Sequence, residues 1–191
     1  MNKNKILNYK NYAKYSRDDV WEICYPGTKR PKGGNWDTGY TRLKPPLDNV
    51  LIVFMNIGIP GLTGHNFPNN FDADLNEIIW YGKPDTHSDQ PLMKELIKGN
   101  IKPLFFARYD NKVREFDFLG QGVIKSFRDN FKVPYAITSY HSTIEFIFTV
   151  DGDVHNLESA VAGQLEEIFD SIRDNSTKTT DSNFGNICLK L

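Results

Sequence analysis

KPLFFARYDNKVREFDFLGQGVIKSF, residues 102–127, decides the fold. Two apolar runs flank the polar tetrad Asp110-Asn111-Lys112-Val113, the spacing of two antiparallel strands joined by a tight turn. Working outward from this hairpin, DNVLIVFMNIG (48–58) is apolar from Val50 through Phe54, as expected of a strand covered on both faces. EIIWY (77–81) and STIEFIFTV (142–150) supply further strands, the second with clean alternation.

Helices are sparse. Ser16 reads as an N-cap followed by Asp18 and Asp19, carboxylates that favour the positive helix end. Val20, Trp21 and Ile23 form a short apolar stripe, and Pro26-Gly27 stops the helix. SDQPLMKELIKGN (88–100) predicts a second short helix with Pro91 at N1 and Gly99 at C′. Leu157, Val161, Leu165, Ile168, Phe169 and Ile172 predict an amphipathic helix near the C-terminus, capped by Asn156. The chain thus divides into a domain over 1–150, a helix over 151–175 packed on it and a polar tail over 176–191. Strands do not alternate with helices, so a doubly wound parallel sheet is not expected. The pattern predicts an α+β fold, a curved and mostly antiparallel sheet or small barrel with flanking helices.

The 191 residues are 39% hydrophobic and 25% charged, as in soluble globular proteins. No apolar run approaches the ~20 residues of a membrane span, and the basic N-terminus lacks the apolar core of a signal peptide. A cytoplasmic protein without a membrane partner is expected. Cys24 and Cys188 stand alone, with no CxxC or Cys/His cluster, so neither a zinc site nor a disulfide framework is indicated. Net charge is −1, but residues 1–50 hold ten Lys/Arg against five Asp/Glu, a balance of +5. The remainder carries −6, and whole-chain neutrality leaves room for a local basic face.

Several chemistries fail on their spacing. GxSxG and Gly-Lys-Ser/Thr motifs are absent, and neither cysteine has a histidine at a recognised distance. His65 and His87 flank Asp72, Asp74, Asp85 and Asp89 without helical or EF-hand spacing, so they read as polar loop residues. No metal or cofactor is implied. A Mg²⁺ nuclease using Asp85 or Asp117 with Lys125 stays open as an alternative, although Val123-Ile124 stands where the acid of an acid-x-Lys triplet belongs.

What remains is GHNFPNNFDADLNEIIWYGKPD, residues 64–85. Phe67, Phe71, Trp80 and Tyr81 offer flat faces, while His65, Asp72 and Asp74 offer hydrogen-bonding edges. An extruded nucleobase wants that combination, stacking on its faces and polar partners at its rim. The basic stretch Lys29–Lys44, with Lys29, Arg30, Lys32, Arg42 and Lys44 and the interleaved Trp36 and Tyr40, would grip phosphates beside it. The competing reading is that these aromatics are core and the acids turn formers.

YSRDDV (15–20), PGT (26–28), the Gly64-His65-x-Phe67 loop and FDFLGQGVI (116–124), in this order over residues 15–150, resemble a domain of unknown function. That domain is found at the C-terminus of restriction-associated superfamily II helicases and in some HNH endonucleases. Its members usually carry Ser-Gln after the loop tryptophan, where this chain has Tyr81-Gly82. NNFDADLNEIIWYGKPD (69–85) is also similar to the pocket segment of SET- and RING-associated (SRA) domains, which flip 5-methylcytosine into a PUA-like barrel. These resemblances imply a PUA/SRA-like fold and a target-recognition module reading modified, methylated double-stranded DNA by base flipping. They imply Phe71 as the leading aromatic, Asp74 as the acid on the base edge and Trp80 and Gly82 as the stacking turn. They further imply no enzymatic activity of its own, with a nuclease or helicase supplied in trans. A PUA-like module for a small ligand or a protein partner is the other alternative.

Overall fold

The computed structural model describes residues 7, 9–61, 67–136 and 139–151, with the backbone alone for 135, 136, 139 and 151. The expected helix over 151–175 (beyond Asp151), the tail over 176–191, His65 and Cys188 lie outside the described residues. Contacts divide the chain into two units, 1–152 and 153–191. The sheet and its two cores belong to the first.

The elements are β1 (Lys14–Tyr15), α1 (Arg17–Cys24), a 3-10 turn (Gly34–Asp37), β2 (Tyr40–Arg42), β3 (Val50–Asn56), β4 (Asn70–Asp72) and β5 (Glu77–Tyr81). They continue with α2 (Pro91–Ile97), β6 (Lys102–Arg108), β7 (Phe116–Ala136) and β8 (Ser139–Asp151). Among the described residues one eight-stranded sheet runs in the order β2-β3-β6-β7-β8-β5-β4, with β1 paired to β7. All pairs are antiparallel except β3 with β6, whose register runs from Val50↔Lys102 to Asn56↔Arg108. The mostly antiparallel expectation therefore holds with one exception. The 57–101 connection, long enough to carry β4, β5 and α2, is the crossover that a parallel pair requires.

Alternation along the central strands explains why they read as continuous apolar runs. Leu51, Val53 and Met55 of β3 and Phe105 and Ala107 of β6 enter one core with Ile78, Trp80, Phe146 and Phe148. Ile52 and Phe54, with Leu104 and Phe106, enter a second core on the other face. That second core is covered by α1 through Val20 and Cys24, together with Trp36. Ser16 caps α1 as expected, with the Asp19 carboxylate returning the bond to the Ser16 N–H at 2.8 Å. α2 begins at Pro91, and Gly99 adopts the left-handed conformation at φ +76°. Among the described residues no helix is long and apolar enough to cross a membrane.

The two arms of the long β7–β8 hairpin hold the first core shut. Gly122 is needed there, because an added Cβ would lie 2.5 Å from Phe105 Cε2 and 3.0 Å from Phe148 Cδ1. Both rings are fully buried. Gly122→Ala is expected to lose about 1–3 kcal/mol of unfolding free energy through overpacking, measured by urea denaturation; an unchanged midpoint would show that the rings have slack.

Candidate functional site

The sheet curls so that β2 at one edge comes back against β5 near the other, yet no ladder joins them among the described residues. Side chains stitch the gap instead. The Tyr40 ring meets the Trp80 indole edge to face, with centroids 5.2 Å apart. The Lys83 ammonium donates to Thr38 Oγ1 at 3.1 Å and sits 4.5 Å from the Tyr40 ring centroid. Asn69 bridges the strands, its Nδ2 donating to Asn56 O at 3.3 Å and its Oδ1 accepting from the Tyr81 N–H at 3.2 Å.

Beside this seam lies a cavity of about 320 Å³. Its aromatic wall is Tyr40, Phe54, Phe67 and Trp80, with the Tyr81-Gly82 segment beside them. Arg17, Lys83 and Arg108 supply cations, and Asp37, Thr38, Asn56 and Asn69 supply further polar side chains. The volume is at the lower end of the ~300–1,000 Å³ usual for small-molecule sites. It suits one flat ring with its substituents.

The polar groups differ in what they have left to offer. Asp37 accepts from Arg30 Nη1 at 2.9 Å through one oxygen and from the Gly33 N–H at 2.7 Å through the other. Asn56 Oδ1 accepts from Arg108 Nε at 2.8 Å, and Arg108 Nη1 and Nη2 donate to Val113 O and Asn111 Oδ1. The parallel register sets up the Asn56–Arg108 pair, since the two are partners at the ends of β3 and β6. Arg17 donates to the Trp36 carbonyl, and its guanidinium lies 4.1 Å from the Phe54 ring centroid. Burial pushes the Arg17 guanidinium down to about 10, partly opposed by Asp37. Burial likewise lowers Lys83 and Arg108.

The structure brings together Phe67, Trp80, Tyr81, Gly82 and Tyr40 of the residues expected from sequence. Trp80 is also core: 3% exposed, with its ring stacked on Phe146 at 5.8 Å and close to Phe105. One indole face is therefore already occupied. Gly82 has a packing reason, because a Cβ would stand 2.8 Å from Thr86 Cβ and 3.0 Å from Ile144 Cγ2. Tyr81 turns its side chain the other way, donating to Glu145 Oε2 at 2.5 Å and packing on Phe131. Arg128 completes that cluster, with Nε 2.6 Å from Glu145 Oε1.

Phe71 and Asp74 are placed away from the cavity lining. Phe71 packs on the first core from β4. Asp74 is exposed in the β4–β5 turn, where its N–H donates to Asp72 Oδ1 at 3.0 Å. The Asp72 carboxylate closes this turn, accepting also from the Leu75 N–H at 3.1 Å. Trp36 is 7% exposed and packs in the second core against Trp21 and Phe54. Arg30 is tied by ion pairs to Asp18 and Asp37, and Arg42 Nε donates to Asp48 O at 2.5 Å. Lys29, Lys32 and Lys44 are exposed. The alternative nuclease set is dispersed: Asp117 pairs with Lys14 at 3.1 Å, Lys125 pairs with Glu77, and Asp85 sits in a turn with φ +61°.

Sequence reading missed Arg17, Lys83, Arg108 and Asn56. Lys83 alone carried a signal, following directly on the aromatic-Gly segment. The others depend on the curl of the sheet and on the one parallel pair.

The site is thus an aromatic, cation-rich cavity at the unclosed seam of an α+β sheet. No family model matches the chain, and no curated protein matches it. Among solved structures it overlaps part of the MspJI restriction endonuclease in complex with a 27-mer oligonucleotide, at 11% identity and TM-score 0.45, over 65% of this chain and 34% of that one. It overlaps the sulfur-binding and SRA domains of ScoMcrA complexed with phosphorothioated DNA, at 17% identity and TM-score 0.45, over 77% and 41%. The type IV phosphorothioation-dependent restriction endonuclease ScoMcrA gives 17% identity and TM-score 0.46, over 75% and 26%. This chain spans at most about two-fifths of each of those chains. Overlaps this distant carry none of those proteins' activities to it.

Because Trp80 belongs to the core, Trp80→Ala is expected to cost about 3–5 kcal/mol of stability, read from chemical denaturation; a loss below about 1 kcal/mol would place the indole outside the core. The Tyr81 phenol is raised above its ordinary value of 10.0 by burial first, then by its hydrogen bond to Glu145. A raised folded-state value stabilises fully below pH about 10 and is lost as pH climbs beyond it, because the unfolded chain releases the proton first. Tyr81→Phe should therefore flatten the alkaline fall in unfolding free energy; an unchanged slope would remove Tyr81 as a contributor.

Proposed function

We propose that this chain is a DNA-recognition module of a restriction or defence system, which examines a modified base extruded into the seam cavity. One observation carries this: half-buried Tyr40 and Phe67 line, with Trp80, a cavity of one-ring size that also holds three cationic side chains. Stacking faces and charged donors serve a flipped nucleotide, whose ring is flat and whose backbone is anionic. The loop that ends in Asp37, Thr38 and Tyr40 on the cavity wall begins with the exposed Lys29 and Lys32. Lys29, Lys32 and Lys44 position the module on phosphates, while Arg30, held by its two carboxylates, shapes the loop. Cleavage or unwinding then belongs to a nuclease or helicase acting in trans.

Anisotropy titrations with modified and unmodified duplexes test this. Stacking is worth about 1–3 kcal/mol per base, so Tyr40→Ala should weaken binding to modified duplex by about 5- to 150-fold, with retained thermal unfolding as the control. Replacing Lys29, Lys32 and Lys44 by alanine should lower the salt slope of log K by about one for each phosphate that is no longer neutralised. Equal affinity of Tyr40→Ala and wild type for the modified duplex would refute the stacking role.

A further inference from the structure

We infer that the seam cavity selects a flat ligand bearing an anionic or strongly hydrogen-bond-accepting group, which Lys83 receives with Arg17. This rests on the proposed recognition role and specifies its substrate class. The reason lies in the hydrogen-bonding capacity that each wall residue still has to give.

The carboxylate and amide oxygens of the wall are each already engaged. Asp37, the single carboxylate among the described lining residues, has one oxygen on Arg30 and the other on the Gly33 N–H. The Asn69 and Asn56 side-chain oxygens are taken by the Tyr81 N–H and by Arg108 Nε. A ligand edge made of amino donors would have to share oxygens that each already hold a strand end or a loop in place.

Donors are in surplus. The Lys83 ammonium has three N–H groups and makes one hydrogen bond among the described residues, to Thr38, besides facing the Tyr40 ring. Arg17 has five side-chain N–H groups, and its guanidinium makes one hydrogen bond among the described residues, to the Trp36 carbonyl, while resting over Phe54. Arg108 is spent on Asn56, Val113 and Asn111, which separates it from the other two. The depressed Lys83 and Arg17 agree with this count: both are desolvated, and the Asp37 charge only partly offsets the effect at Arg17. An arriving anion would supply the missing partner.

Such a group has two sources, a charged substituent on an extruded base or the phosphate of a free nucleotide. The experiment uses the full chain with duplexes bearing a single 5-methylcytosine or 5-carboxylcytosine, and with free deoxycytidine monophosphate and deoxycytidine. If the base supplies the anion, the 5-carboxylcytosine duplex binds at least tenfold tighter than the 5-methylcytosine duplex. Lys83→Gln then brings the two affinities together, and Lys83→Arg restores the difference. If phosphate supplies it, the monophosphate binds at least tenfold tighter than the nucleoside, again through Lys83. If neither pair is separated, or the separation survives in Lys83→Gln, the inference is overturned. The recognition role is judged separately: it stands if either modified duplex still outbinds unmodified duplex, and falls if neither does.

Discussion

The edge-to-face contact between Tyr40 and Trp80 is the interaction on which the geometry of the site depends, on a sheet whose ladders and cores stand without it. It joins two strands that share no backbone ladder, and the cavity exists because a side-chain contact, not a ladder, spans that gap. A ladder between β2 and β5 would bring the strands to about 4.8 Å and leave no room for a ring. The Asn69 bridge and the Lys83–Thr38 bond act at the same seam, fixing the ends of β3 and β5 relative to each other. Trp80 links core and seam, with its ring stacked on Phe146 and near-perpendicular to Tyr40.

The same geometry explains why the site has more donors than acceptors left to offer. Its carboxylate and amide oxygens each hold a loop or a strand end in place, while its cations have donors to spare. The side chains of Lys83 and Arg17 each make a single hydrogen bond among the described residues and otherwise rest on aromatic rings. Cations over aromatic faces stay in place without an anionic partner. They hold a charged wall ready without filling the cavity.

Much of the fold was legible because it obeys local rules. The Ser16 cap, Pro91 and Gly99 around α2, the apolar run of β3 and the hairpin of β6 and β7 each have a residue-level cause. The parallel pairing of β3 with β6 was not legible, since nothing local in either run states its partner. Arg108 and Asn56 were hidden with it. The burial of Trp36 was not legible because a Gly/Pro/Lys-rich stretch looks solvated, whereas one large ring within it closes the second core. Asp74 drew attention as an acid between aromatics, but Asp72 and Asp74 are two residues of a tight turn. Tyr40 and Trp80 were both singled out from sequence for separate duties, and only the curled sheet shows them in contact.

The central claim is that a base leaves its stack to enter the seam. Fluorescence of 2-aminopurine placed next to the modified base in a duplex reads this directly. Full occupancy of the cavity removes the neighbour from the stack, so emission should rise several-fold on saturation with wild type, and Tyr40→Ala saturated with the same duplex should show less of the rise. Saturated binding with emission unchanged from free duplex would contradict the account.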